Sequence, residues 1–96
     1  MVGSPIAERL VAEVRALLSP MSIGIRHDDK GVVVDLVHDD GSVVWPEFAH
    51  GPDEVLAILA AEQRYLVEQQ GHGSVRGESY VDKARERLRR ASQAAN

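Results

Sequence analysis

Apolar residues recur along this chain in two periods, and each change of period marks a new element. Ile6, Leu10, Val14, Leu17 and Leu18 fall at three- and four-residue steps, with Glu8, Arg9, Glu13 and Arg15 on other faces, so the spacing predicts an amphipathic first helix. Ser4 and Pro5 suit its N-cap and first helical position. Ser19-Pro20 ends it, because proline lacks an N–H and pushes the residue before it away from helical dihedrals.

The pattern then alternates. Met21 to Arg26 places Ile23 and Ile25 on one side, and Val32 to Val37 is a β-branched run whose expected core face is Val32, Val34 and Leu36. Ser42 to Trp45 predicts a third strand, which Pro46 ends or confines to a sheet edge. Between the strands, His27-Asp28-Asp29 and His38-Asp39-Asp40 both lead into Val-Val pairs. Aspartate bonds its own backbone in turns, so both runs predict hairpins and the strands a meander. As metal ligands the two runs fit no calcium-loop spacing, and successive meander turns lie at opposite ends of a sheet.

Helical spacing returns between Gly51 and Gly71. Pro52 suits the first helical position, and Asp53 and Glu54 follow where the helix dipole favours carboxylates. Val55, Ile58, Leu59, Tyr65 and Leu66 form one stripe, and Leu56, Ala60 and Val67 an adjacent one, so this helix must touch two layers. Glu62 is expected at the margin of the stripe, with Arg64 and Tyr65 at the solvent boundary. Gly71 is a left-handed stop, residues 72–78 read as a linker, and Ser79 caps a last helix with Asp82 at its third position. Val81, Ala84, Leu88, Ala91 and Ala95 form its narrow apolar seam.

The expected architecture is therefore α+β, in the order αβββαα: a three-stranded antiparallel meander with helices on one face. Residues 1–71 form a compact αβββα domain and residues 79–96 a basic helix that docks or oligomerises. Over residues 5–70 the order resembles the topology of double-stranded-RNA-binding domains. The resemblance implies RNA contacts at the start of the last helix of the motif, where such domains carry a basic run. Here Pro52-Asp53-Glu54-Val55 stands in that place, so the implied function does not follow.

Composition narrows the function classes. The 96 residues contain no cysteine, which removes disulfides, thiolate metal sites and a cysteine nucleophile, and suits a reducing cytoplasm. No apolar run approaches the roughly 20 residues that cross a bilayer, and no secretory leader pattern opens the chain, so a cytoplasmic protein without membrane contact is expected. Nothing in the motifs calls for a cofactor or a metal. Residues 1–70 carry five basic and twelve acidic side chains, a net of −7, whereas residues 71–96 carry six basic and three acidic, a net of +3.

Two candidate surfaces emerge. The last helix offers Val81, Ala84, Leu88 and Ala91 flanked by Arg85 and Arg89, which suits docking on an acidic surface, on a protein partner or on a second copy. Its arginines also suit nucleic-acid phosphates. The stretch from Trp45 to His50 gathers Trp45, Glu47, Phe48 and His50 into one loop before a helix N-terminus, a candidate pocket for a small molecule. It lacks a nucleophile, and the two aromatics also serve to close the core. The leading expectation is a small non-enzymatic protein-interaction or regulatory module that self-associates through its last helix. Nucleic-acid binding is the alternative, and ligand binding at the Trp45–His50 loop the third reading.

Overall fold

A computed structural model describes residues 5–69 and 79–94, with the order α1 (Pro5–Leu18), β1 (Ser22–Asp28), β2 (Gly31–Val37), β3 (Val43–Gly51), α2 (Glu54–Gln69) and α3 (Tyr80–Ala94). The αβββαα order expected from the sequence is the observed one. Residues 72–78, expected to form a linker, and Ala95 lie outside the described residues.

α1 buries Ala7, Leu10, Val14 and Leu18, while Ile6 and Leu17 are exposed. Leu10, Val14 and Leu18 of the expected stripe are thus on the core face, with Ala7 in place of Ile6: steps of three, four and four from Ala7 line up on one face, and the bulkier Ile6 and Leu17 flank it. Small Ala7 joins the buried core at the start of α1.

The three strands form one antiparallel sheet in the order β1-β2-β3. Ile23 pairs with Leu36 and Ile25 with Val34, so the inward-facing residues of β1 join Val32, Val34 and Leu36 in the core. Alternation also predicts an exposed opposite face, yet Val33 and Asp35 are buried there as well. Each hairpin is closed by aspartate: Asp28 Oδ1 accepts the Lys30 N–H at 2.8 Å, and Asp40 Oδ1 accepts both the Ser42 N–H and hydroxyl. Those bonds from Ser42, the hydroxyl first, hold the exposed Asp40 carboxyl below the usual carboxylate range.

β3 departs most from expectation. It runs through Pro46 to Gly51, so the Trp45–His50 stretch is strand and not a loop leading into a helix. β3 pairs with β2 alone, and this edge position is what makes Pro46 tolerable, since its missing N–H has no ladder partner to disappoint. The register also slips: Val34 faces Ala49 and Leu36 faces Trp45, so β3 spends extra residues here in a bulge, with Glu47 at φ 51°.

α2 begins at Glu54, later than Pro52 suggested. Asp53 is its cap, accepting the Leu56 N–H on Oδ1 at 2.9 Å and the Ala57 N–H on its carbonyl at 2.9 Å. Leu56 to Ala61 are buried without interruption, as a helix enclosed by the sheet and by α1 and α3 requires. Ser79 caps α3 through the Val81 and Asp82 N–H groups. α3 returns antiparallel to α2, with Tyr80 near Arg64 and Leu88 near Val55. Ala84 is fully buried at that contact.

Where β3 turns into α2, backbone meets backbone. A Cβ on Gly51 would run into the main chain of Leu56 and Ala57, and one on Gly31 into the Gly51 carbonyl. Gly51→Ala should therefore lower stability by about 1–3 kcal/mol, the range for overpacking a tight site. Gly24→Ala is the control, because its new methyl would only touch Val37 at 3.5 Å. Urea unfolding midpoints distinguish them; equal midpoints would contradict the close packing of this corner.

Candidate functional site

The bulge in β3 is held from the open face of the sheet by one buried carboxylate. Asp35, at the middle of β2, accepts two hydrogen bonds from Arg26, from Nε at 2.7 Å and Nη2 at 2.9 Å, and a third from the Glu47 N–H at 2.8 Å. Glu47 has a left-handed backbone and follows Pro46, so its N–H is turned out of the ordinary ladder and the Asp35 side chain supplies the acceptor. The Arg26 hydrogen bonds hold the Asp35 carboxyl below its ordinary value against the opposing effect of burial, and raise Arg26 in return.

On the helix side the same bulge carries an aromatic cluster around one arginine. Trp45 and Phe48 meet edge to face, with centroids 5.3 Å apart and planes at 73°. The Arg64 guanidinium lies 4.2 Å from the Trp45 ring centre, 4.8 Å from Phe48 and 5.9 Å from Tyr80, and its Nη1 donates to the Phe48 carbonyl at 2.8 Å. Its buried Nε has no hydrogen-bond partner among the described residues, and the ring faces take that role. One cation thus ties β3, α2 and α3 together.

Arg64 was expected at the solvent boundary and is instead half-buried. The signal was in the sequence: Arg64 continues the line of Ala57, Ala60 and Ala61 at helical steps, the most deeply buried face of α2. Those alanines leave room along the face, and the long arginine stem fills its end. Glu62 is likewise further inside than a stripe margin, nearly buried and ion-paired with Arg87 of α3.

The structure divides the expected pocket residues. Phe48 is in the core, whereas Trp45, Glu47 and His50 are exposed. Glu47, Phe48 and His50 line a shallow cavity of about 270 Å³ with Arg64, Ser79 and Tyr80, and Trp45 is not part of it. That volume lies below the roughly 300–1,000 Å³ of ordinary small-molecule sites. A wider depression of about 620 Å³ joins Glu47 and His50 to the β1–β2 turn, where Asp28, Asp29 and Lys30 mix both signs of charge. His27 sits 3.4 Å from Glu54, away from His38 at the other end of the sheet. Among the described residues no three histidine or acidic side chains converge as a metal site, and no helix is long and apolar enough to cross a membrane.

The expected α3 surface is partly used within the chain. Ala84 is buried, Val81 and Leu88 pack against the core, and Ala91 is exposed. The arginines have carboxylate neighbours: Arg85 lies 3.8 Å from Asp82, Arg89 bonds Glu86, and Arg87 reaches Glu62. Comparison with protein-family models, with curated proteins and with solved structures returned no match.

Removing the Asp35 charge tests how far the bulge depends on it. Asp35→Asn should lower stability at neutral pH by about 1–3 kcal/mol, leaving Arg26 without its anion. Because the folded carboxyl titrates below its unfolded value of about 3.9, its contribution is complete above that pH and disappears as pH falls through the folded value. The gap between wild type and variant in urea midpoint should accordingly narrow on acidification from pH 7 to pH 2. A gap that stays constant across that range would show that the charge of Asp35 is not what matters.

Proposed function

We propose that this protein is a non-enzymatic protein-interaction module that receives a partner along the first half of β3. The observation that carries the reading is the run Val43, Val44 and Trp45, which are 55%, 41% and 40% exposed on consecutive positions of an edge strand. Scattered exposed apolar residues are normal, but a contiguous run beside unpaired strand backbone is a surface that a second polypeptide can cover. Trp45 adds an anchor of the kind that dominates interface energetics, since an aromatic already packed edge to face on Phe48 and covered by Arg64 loses little freedom on binding.

Two other readings receive less support. Phosphate binding by α3 must compete with the carboxylates beside Arg85, Arg87 and Arg89, and with an acidic body. Small-molecule binding at Glu47, Phe48 and His50 has a shallow cavity of about 270 Å³, and the wider depression that Glu47 and His50 share with the β1–β2 turn leaves out both Phe48 and Trp45 and mixes both signs of charge. The lack of cysteine is in keeping with work in a reducing compartment such as the cytoplasm.

The test compares wild type, Val44→Glu and Trp45→Ala as bait in extract of the source cells, alongside their urea unfolding curves. Both variants should lose the same captured protein; Val44→Glu should keep its unfolding free energy within about 1 kcal/mol of wild type, whereas Trp45→Ala also gives up its contacts with Phe48 and Arg64 and should cost about 1–3 kcal/mol while remaining folded. A captured set that is the same for all three baits would reject β3 as the partner surface.

A further inference from the structure

The seam of α3 runs on past its cover. Ala84 is fully buried and Leu88 is half-buried, but Ala91, next on that seam, is exposed, as are Arg89 and Arg90 beside it. Leu88 also forms one wall of a groove of about 380 Å³, completed by Ile6 of α1 and by Asp53, Glu54 and Val55 at the start of α2. Ile6 is 50% exposed there. At the meeting of three helices, an apolar floor is thus open to water with two carboxylates on its rim. The adjacent end of α3 has the complementary character, an apolar position with Arg90 beside it and Arg89 bonded to Glu86 of the same helix.

We infer that this groove and the end of α3 form the interface of a symmetric dimer of this chain. In a two-fold arrangement the last turns of α3 from one copy cover Ile6 and Leu88 of the other, and the reverse contact forms at the same time. Arg90 of each copy then faces Asp53 and Glu54 of its partner, with Arg89 beside it shared with Glu86 of its own helix, so the charge match is made twice. Asp53 caps its helix through Oδ1, and Glu54 has only a rim contact with His27 at 3.4 Å, which leaves both carboxylates accessible to a cation from outside. Because residues 1–70 carry a net of −7 and residues 71–96 a net of +3, the long-range field favours the same mutual approach. The interface is separate from the β3 edge, and a dimer built this way presents two such edges to partners.

Light-scattering mass measurements on the full chain, over a range of concentrations, test the inference. Wild type should reach twice the mass of one chain. Arg89→Glu with Arg90→Glu should raise the dissociation constant by about tenfold or more, and adding Glu54→Lys to that pair should restore it toward wild type. All three positions lie at the surface or rim, so circular dichroism should show unchanged helix content. Trp45→Ala should keep the dimer, which separates this outcome from that of the β3 reading. A wild type that stays monomeric throughout, a dimer indifferent to the arginine reversals, or a loss that Glu54→Lys does not repair would overturn the inference.

Discussion

Enclosure of α2 is the constraint on which the rest of the structure depends. Six successive residues, Leu56 to Ala61, are buried, so this part of the helix has no side to turn toward water. A three-stranded sheet can cover one side only, and α1 and α3 are needed for the others. The alanines at 57, 60 and 61 let these neighbours approach closely, and Ala7 and Ala84 do the same from the neighbouring helices. Gly51 and Gly31 extend the principle to the backbone, where no side chain at all fits between the end of β3 and the first turn of α2, or between the start of β2 and the end of β3.

On the far side of the sheet the organising element is ionic. Asp35 would be out of place on a buried surface without partners, and its three hydrogen bonds from Arg26 and Glu47 make the position workable. These bonds also connect all three strands, because Arg26 belongs to β1, Asp35 to β2 and Glu47 to β3. The helix face of the same region is tied by Arg64 and its rings. The bulge is therefore clamped from both faces by an arginine, once through a carboxylate and once through aromatic rings.

The order of elements was legible because each carries its own periodicity and punctuation. Pro5, Ser19-Pro20 and Ser79 mark helix ends by local chemistry, Pro52 placed the start of α2 two residues early, and Val32 to Val37 is a β-branched run that reads as a strand. What escaped the sequence depended on tertiary partners. That Pro46 ends the strand or marks a sheet edge was legible, and the edge is what is found, but that the strand runs on through it to Gly51 depends on the bulge and on the reach of Asp35. Ile6 outranks Ala7 in hydrophobicity, yet close helix approach selects the smaller residue for the inside. Arg64 and Glu62 read as surface charges because their counterparts, a ring cluster and Arg87, come from segments distant in sequence. For the candidate site, Trp45 and Phe48 were identifiable as a pair; the helical spacing of Arg64 from Ala57, Ala60 and Ala61 placed it on the inner face, but not against those rings.

The bulge at Pro46 and Glu47 also governs what the protein avoids. An edge strand with Val43, Val44 and Trp45 in the open is the kind of template on which chains stack into fibrils. Stacking needs a long, straight ladder, and here it is interrupted by a residue without an N–H and by a left-handed backbone immediately after it. The sticky part of the edge is thereby limited to a strip a few residues long. Such a strip can grip a short complementary segment, yet it gives an indefinite cross-β assembly nowhere to propagate.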